Sequence, residues 1–270
     1  MKKVKQKTYL VSELVCYLVL KCLFVFVFGD VTQAKAKNED KLLHIEVYLE
    51  GFYDDGKEKM LSAHTFIDQQ QLPVFDEGIA DKITVSLHDD VNYENYNWGD
   101  KIVFQADVVL TNDGHAWVSL PEKVDNKPVV GQYWVSVTHR NHLETIYHTP
   151  ITIDENGIYH CNFIQGSHSE NSAFGNNQSY LGEKVRHGHT IHAWALYAGD
   201  INSDGNIDFL DRNLLRSSLE AGHRGYLQQD LNGDGLVSIR DRTIFMKNFL
   251  LGLNAIKPSG SNAAELKNFD

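Results

Sequence analysis

The sequence predicts a mainly β protein with a small α module, in which a β-sandwich is followed by a duplicated loop–helix motif. From about residue 42 to 198, short segments rich in β-branched and aromatic residues follow one another, which is typical of strands. After Gly199 the spacing of apolar residues changes to that of helices. A run of alternating acidic and amide residues stands before each predicted helix.

Residues 1–36 are predicted to be a secretory signal peptide. The segment begins with the basic stretch MKKVKQK, continues with LVCYLVLKCLFVFVF and offers the small residues Ala34 and Ala36 for cleavage. A membrane anchor is the alternative interpretation, since an anchor requires no cleavage site. Because no second apolar segment follows, we expect a secreted, cell-surface-associated protein with no transmembrane span after cleavage.

The charge and the cysteine content limit the function classes. The chain has a net charge of −11 at pH 7, and loss of the basic leader would make it more acidic. An acidic surface repels nucleic acid and anionic lipid and attracts cations, so nucleic acid is not an expected partner. Only Cys161 follows the leader, so an apolar core or a bound metal must stabilise the mature chain.

Residues 37–198 are predicted to form a β-sandwich of the immunoglobulin-like type. Turn signals such as Asp55-Gly56 and Asn112-Asp113-Gly114 separate the strand-like segments. Seven or so short strands without a helical period between them are typical of this architecture. The predicted strands are 44–51, 82–89, 101–110, 115–120, 132–140, 144–153 and 158–164, with a long polar loop at 165–184 and a strand-like segment at 189–199.

Residues 199–256 are predicted to form the small α module. Leucines and phenylalanines recur near helical spacing in 209–222 and in 239–252. Each segment ends at a glycine, Gly222 or Gly252, as helix C-termini often do. Residues 257–270 contain little core-forming sequence and are predicted to be a flexible tail.

Two twelve-residue runs, about thirty residues apart, have the ligand spacing of a calcium loop. Ca²⁺ takes six to eight oxygens, from side chains at positions 1, 3, 5, 9 and 12 and from the carbonyl at position 7, and glycine at position 6 permits the sharp turn. We therefore expect two Ca²⁺ ions. The predicted ligands are Asp200, Asn202, Asp204, Asn206, Asp208 and Asp211 in the first loop and Asp230, Asn232, Asp234, Leu236, Ser238 and Asp241 in the second.

The two loops differ in charge and share an apolar position. The first carries four aspartates and the second three, which predicts that the first binds calcium more tightly. Ile207 and Val237 both stand at position 8, where we expect them to pair across the loops and to join a small core.

The duplicated motif resembles the dockerin type I module. The stretches GDINSDGNIDFLDRNLL and QDLNGDGLVSIRDRTIF match its pattern: position 12 is Asp where EF-hands have Glu, and the residues before each loop are not typical of a helix. The resemblance implies calcium-dependent docking onto a cohesin-like partner. In that family, loop positions 10 and 11 help to recognise cohesin and are often small and hydroxylated. Here the corresponding partner-binding candidates are Phe209, Leu210, Ile239 and Arg240.

The region before the repeats has a looser resemblance. The order of HIEVYLEGFYDDG, KITVSLHDD, VVLTNDG and QYWVSVTHRNHL before the two loops is similar to the C-terminal regions of large secreted bacterial surface proteins. This resemblance implies a secretion, adhesion or assembly context and no known reaction. The sequence contains no nucleophile elbow, phosphate loop or zinc-protease motif. We therefore expect a non-catalytic protein for extracellular assembly or cell-surface attachment.

A carbohydrate-binding subunit of a polysaccharide-degrading system is the alternative function. Tyr93, Tyr96 and Trp98 lie beside amides and acids, and aromatic faces with polar neighbours can bind sugar rings. The simpler interpretation, which we prefer, is that this loop packs its aromatic side chains against the edge of the sandwich.

Histidines raise a zinc hypothesis, since the chain contains 13 of them. The candidates are His139, His142, His187, His189 and His192. Because they match no known ligand motif, ordinary polar strand residues are the favoured interpretation. For residues 139–143, HRNHL, we expect a structural network that ties the sandwich to the calcium module.

Overall fold

The computed structural model describes residues 41–89, 102–155, 157–167 and 171–256, which form one compact unit. The strands are β1 (Lys41–Glu46), β2 (Tyr53–Asp54), β3 (Lys59–Met60), β4 (His64–Ile67), β5 (Gln70–Pro73), β6 (Ile79–Asp89), β7 (Ile102–Thr111), β8 (His115–Leu120), β9 (Lys123–Val124), β10 (Lys127–Pro128), β11 (Gly131–His139), β12 (His142–Ile146), β13 (Ile151–Ile153), β14 (Ile158–Asn162), β15 (Gln165–Gly166), β16 (Ser179–Arg186) and β17 (His189–Ala195). The helices are α1 (Phe209–Ala221) and α2 (Ile239–Phe249), and a 3₁₀ turn spans Phe174–Asn176. The predicted signal peptide and tail lie outside the described residues.

Two sheets form the predicted β-sandwich. One is three-stranded, in the order β14-β1-β8, and the other is five-stranded, in the order β12-β11-β6-β7 with β13 also paired to β11. Their inner faces share one apolar core, as alternation along half-buried strands predicts. The core includes Leu43, Ile45, Val85, Leu87, Val118, Val135, Val137 and Cys161.

A third sheet corrects the sequence prediction for residues 165–184. Its order is β15-β17-β16, and β16 begins at Ser179, inside the segment predicted to be a loop. The local sequence is polar because β16 exposes much of its surface, but it pairs with β17 along most of its length. Backbone pairing with an apolar neighbour therefore determines this strand more than its own composition does.

The predicted strand 144–153 is divided in the structure. β12 ends at Ile146 and β13 begins at Ile151, and both pair with β11 at different places. Pro150 stands between them and has no backbone N–H to donate to a ladder. The sequence prediction therefore located the right region and missed the interruption.

The helices of the α module begin and end close to the predicted positions. α1 ends at Ala221, where Gly222 has a φ of +64° and its N–H binds the carbonyls of Leu219 and Ser218. α2 ends earlier than predicted, at Phe249, and Leu250 forms its C-cap. Within the described residues, no helix is both long enough and apolar enough to cross a membrane.

The α module shares buried structure with the sandwich. Leu143 of β12 belongs to the apolar cluster that also contains Ile201, Leu231 and Phe245. A Cβ atom on Gly233 would lie 2.5 Å from Phe52 Cε1, so only glycine allows the second loop to approach the sandwich this closely. The two parts of the chain therefore pack directly against each other.

Candidate metal centre

The two acidic loops occupy equivalent positions in the α module. Residues 200–211 lead into α1 and residues 230–241 lead into α2, so the last predicted ligand of each loop lies in the first turn of a helix. Gly205 and Gly235, at position 6, have φ values of +86° and +77°. This left-handed conformation explains why glycine stands between the ligand positions in both loops.

In the first loop the backbone folds around the side chain of Asp200. This residue is 2% exposed, and its two carboxylate oxygens accept hydrogen bonds from the N–H groups of Asp204 (3.1 Å) and Gly205 (3.0 Å). Asn202 Oδ1 also accepts from the Asp204 N–H, at 3.0 Å, and Asn202 Nδ2 donates to Asp204 Oδ2 at 2.7 Å. Positions 1, 3 and 5 therefore converge, as the spacing predicts.

The second loop repeats this arrangement around Asp230, which is fully buried. Asp230 Oδ2 accepts from the Gly235 N–H at 2.8 Å, and Asn232 Oδ1 accepts from the Asp234 N–H at 3.1 Å. Asn232 Nδ2 donates to Asp234 Oδ2 at 3.0 Å. These three contacts recur in both loops, so the sequence repeat is also a structural repeat, although Asp230 Oδ1 lacks the counterpart of the bond from the Asp204 N–H.

Positions 9 and 12 also form the helix N-termini. Asp208 and Ser238 are the N-caps of α1 and α2, and each forms a capping box with the aspartate three residues later, Asp211 or Asp241. Both of these aspartates are fully buried. Asp211 Oδ1 also accepts a hydrogen bond from the Ile201 N–H at 2.8 Å, so the last residue of the loop is bonded to the backbone at its start.

Burial makes these carboxylates unfavourable as isolated anions. Burial, together with the neighbouring acids of each loop, raises the pKa of both Asp200 and Asp230 to about 7. Burial also raises the pKa of Asp211 and Asp241. A cation among them would favour the ionised forms, so this set of buried acids fits a metal and is poorly suited to a metal-free state at neutral pH.

One buried oxygen provides an independent test of this fit. Asp230 Oδ1 is buried and has no hydrogen-bond partner among the described residues. A buried carboxylate oxygen without a partner is destabilising unless a cation compensates it. The all-oxygen character of the side chains suits Ca²⁺, because hard divalent cations take carboxylate, amide and carbonyl oxygens. Asn206 and Leu236 stand at position 7, where the ligand is the main-chain carbonyl.

The apolar position of the loops is confirmed in part. Ile207 and Val237 both belong to the core of the α module. Their backbone N–H groups bind other segments, however: Ile207 donates to the Leu253 carbonyl at 2.9 Å and Val237 to the His223 carbonyl at 3.1 Å. The greater affinity expected for the first loop stays a prediction.

The predicted partner-binding residues lie on the surface of the α module. Phe209, Leu210 and Ile239 are 64%, 57% and 64% exposed, and the Arg240 side chain is 76% exposed. The Phe209 ring lies edge-on to Phe249, with 5.1 Å between ring centroids, so the start of α1 lies beside the end of α2. Leu250 and Leu251, which follow Phe249, are 76% and 59% exposed.

Sequence reasoning named residues 139–143 as a network that ties the sandwich to the calcium module, and the structure confirms this. Asn141 Nδ2 donates to the carbonyls of Gln228 (3.0 Å) and Asp230 (2.8 Å). Arg140 Nη1 donates to the Leu227 and Asp230 carbonyls. The backbone of the second calcium loop is therefore held by side chains of the sandwich.

A second connection between the two parts had no sequence signal. The Glu50 cluster, which consists of Glu50, Ser179, Lys247 and Asn248, joins the turn after β1 to the last turn of α2. Glu50 is 5% exposed, and its carboxylate accepts from Lys247 Nζ (2.6 Å), from Ser179 Oγ (2.7 Å) and from Asn248 Nδ2. These residues lie far apart in sequence, and pairing of this kind could not be read from local patterns.

The histidines of the zinc hypothesis are not brought together as one site. His139 and His142 are buried neighbours, with their Nδ1 atoms 2.8 Å apart, and His139 also lies 3.1 Å from a carboxylate oxygen of Asp81. His187 and His189 stand at the β16–β17 hairpin. Tyr93, Tyr96 and Trp98, the glycan-binding candidates, lie outside the described residues.

Two buried acidic loops, each followed by one helix and packed into one core, define a duplicated calcium-type module attached to a β-sandwich. Residues 198–251 match the family model of the dockerin type I domain. This segment, the dockerin module, is therefore similar to a family of calcium-binding, non-catalytic protein-interaction modules.

Two crystal structures are similar to about four fifths of the chain at low identity. Both are interface mutants of a type II cohesin-X-dockerin complex from Acetivibrio cellulolyticus. The C-terminal interface mutant has 14% identity and a TM-score of 0.38, covering 80% of this chain and 97% of that chain. For the N-terminal interface mutant the identity is 14%, the TM-score is 0.35 and the coverages are 77% and 95%. No curated protein matches the chain.

Proposed function

We propose that this protein is a secreted, non-catalytic assembly protein that attaches to a cohesin-like partner through its calcium-loaded dockerin module. The observation that carries the proposal is the exposure of Phe209, Leu210 and Ile239, which stand at the partner-reading positions of the two loops. Two Ca²⁺ ions would fix these positions by holding the helix N-termini, since the last ligand of each loop lies in the first turn.

The chemistry of the exposed positions defines the partner surface. At loop positions 10 and 11 this chain has large apolar side chains where dockerins often have small hydroxylated ones. Phe209 also contacts Phe249, so the apolar surface extends from the start of α1 to the exposed end of α2. Exposed apolar residues in a cluster mark interaction surfaces. The partner would therefore offer an apolar face around Phe209, with an acidic or polar group near Arg240.

Burial of Glu50 and Asn141 at the junction supports a role for the sandwich in the same assembly. The sandwich holds the second loop and the end of α2, so it would present the module in one fixed orientation. In this proposal the sandwich acts as a rigid support for docking on the cell surface or in an extracellular complex.

Binding to purified cohesins tests the proposal. The chain would be titrated into type I and type II cohesins by calorimetry, in calcium and then in chelator. We expect binding in calcium that is lost in chelator, and at least a tenfold weaker affinity for Phe209→Ala, because an exposed aromatic anchor at an interface contributes about 2 kcal/mol or more. Val185→Ala is the control, since Val185 is exposed on β16 of the third sheet and does not stand at a loop position. Failure to bind any cohesin in calcium would contradict the proposal.

A further inference from the structure

The outer face of the three-stranded sheet carries a histidine-rich cluster that the docking function does not use. His44 and Glu46 alternate with the core residues Leu43 and Ile45 along β1, so they project from the opposite face. In the strand register, Glu46 stands opposite His115 of β8, and His44 stands opposite His160 of β14. Three neighbouring strands therefore present ligand-type side chains at one place.

We propose that His44, His115 and Glu46 form a site for a divalent transition-metal ion such as Zn²⁺, distinct from the two calcium loops. One potential ligand atom from each of these residues lies within 4.8 Å of those from the other two. Imidazole nitrogens with one carboxylate oxygen are donors that suit zinc, whereas Ca²⁺ takes oxygen ligands. Three protein ligands leave the fourth tetrahedral position open for water or a small ligand.

The distance between the two imidazoles favours a shared ion. His44 Nε2 lies 2.9 Å from His115 Nδ1. Two nitrogens bound tetrahedrally to one zinc ion at its usual bond length lie about 3.3 Å apart. A shift of a few tenths of an ångström therefore converts this contact into a pair of ligands, and both residues stand on paired strands that keep the geometry in place.

Neighbouring groups orient the His44 ring in the way that metal ligands are commonly oriented. The ring stacks on Trp117, with 4.2 Å between centroids and 16° between planes. Its other nitrogen, Nδ1, lies 3.1 Å from His160 Nδ1. A hydrogen bond to the second ring nitrogen of a ligating histidine fixes its tautomer and its direction.

Arg186 is the group that competes with a metal at this site. Its Nη1 lies 2.5 Å from Glu46 Oε2, and its Nη2 lies 3.2 Å from His115 Nε2. The guanidinium therefore already pairs with the Glu46 carboxylate, but it leaves the His44 Nε2–His115 Nδ1 contact to the ion. Because the Arg186 side chain is only 13% exposed, a bound ion would have to compete with this ion pair for Glu46.

Zinc titration of the chain in saturating calcium tests the proposal, because excess calcium keeps the acidic loops filled. Calorimetry, or competition with a chromophoric zinc chelator, should show one zinc equivalent bound at micromolar concentration. His115→Ala and His44→Gln should each weaken this binding more than tenfold, since even the loss of an outer partner of a ligand weakens metal binding ten- to a hundredfold. His223→Ala, an exposed histidine on the dockerin module, should bind like the unchanged chain.

Two further measurements make the result decisive. The melting temperature of each variant without zinc shows whether it has folded, and a folded His115→Ala variant suffices if His44→Gln unfolds. Co²⁺ in place of zinc should give visible absorption bands of a tetrahedral nitrogen–oxygen site, lost in the same variant. Absence of zinc binding by the unchanged chain, or binding that survives both substitutions, would overturn the proposal.

Discussion

At the scale of single residues, the buried acids of the two loops are the reason to expect a bound cation in the module. Asp200, Asp211, Asp230 and Asp241 lie almost fully out of water, and each folds backbone N–H groups around its carboxylate. Those hydrogen bonds orient the carboxylates but do not neutralise them. A bound divalent ion supplies the missing charge, so ligand binding and folding of the loops are expected to be one process.

The raised pKa values of Asp200 and Asp230 predict how the calcium-free protein responds to pH. Both values are about 7 in the folded chain, against an ordinary value of 3.8, so the folded state holds more protons than the unfolded state between these limits. Without calcium, the contribution of these two groups to stability should therefore fall as the pH rises from about 4 to about 7, against the opposite contribution of buried histidines such as His139 and His142, whose pKa values burial lowers. Thermal melts in chelator across this range measure the effect.

The matched control replaces both groups by amides that do not titrate. Relative to the unchanged chain, Asp200→Asn/Asp230→Asn should therefore lose less melting temperature, or gain more, as the pH rises over this range, because two groups that take up protons on folding are gone. An equal pH dependence of the melting temperature in the variant and in the unchanged chain would contradict the prediction.

At the scale of elements, the junction between sandwich and dockerin module depends on side chains that reach across it. Asn141 is fully buried and binds the carbonyl of Asp230, the first residue of the second loop, and that of Gln228 just before it, while the Glu50 cluster holds the end of α2. Hydrogen bonds of this kind add little net stability, but leaving their partners buried and unpaired is costly. The junction is therefore sensitive to the loss of a single polar residue.

Asn141→Ala is expected to destabilise the folded chain by about 1–3 kcal/mol, because it leaves buried carbonyls of Gln228 and Asp230 without this donor. Denaturant unfolding in calcium measures the change. Asn213→Ala is the control: Asn213 is exposed on α1, and its substitution should change stability by no more than about 0.5 kcal/mol. Equal stability of the two variants would show that the junction is not held by Asn141.

The elements that could be predicted from sequence are those with a local cause. The calcium spacing and the end of α1 at Gly222 both act over a few residues, so the sequence predicts them closely. The strand Ser179–Arg186 was mistaken for a loop because its stability comes from pairing with β17. The Glu50 cluster and the outer-face histidines depend on the register of distant strands, which no local pattern reveals.

At the scale of the whole molecule, calcium is expected to stabilise the sandwich as well as the module. Leu143 of the sandwich lies in the core of the module, and Phe52 packs against Gly233 of the second loop. When loops fold only with their ion, elements packed on them lose those contacts in its absence. Removal of calcium by a chelator should therefore also destabilise the sandwich, at a distance from the ions.

A large rise in melting temperature on addition of calcium, reversed by chelator, is the expected result. Far-UV circular dichroism follows the helices of the module, and the fluorescence of tryptophans such as buried Trp134 follows the sandwich. Both signals should shift together, because the two parts share a core. A chelator-insensitive melt would refute calcium-dependent folding, and a shift confined to the helical signal would refute the coupling.

The contact of Gly233 with Phe52 has a practical consequence for protein engineering. A dockerin segment cut out at its family boundaries would expose the faces of Leu231 and Phe245 that Leu143 helps to cover, and Phe52 would be left on the surface of the remaining sandwich. A graft meant to transfer the proposed docking function to an enzyme should therefore carry residues 41–256 as one unit. The reusable part of this protein is the sandwich and the dockerin module together.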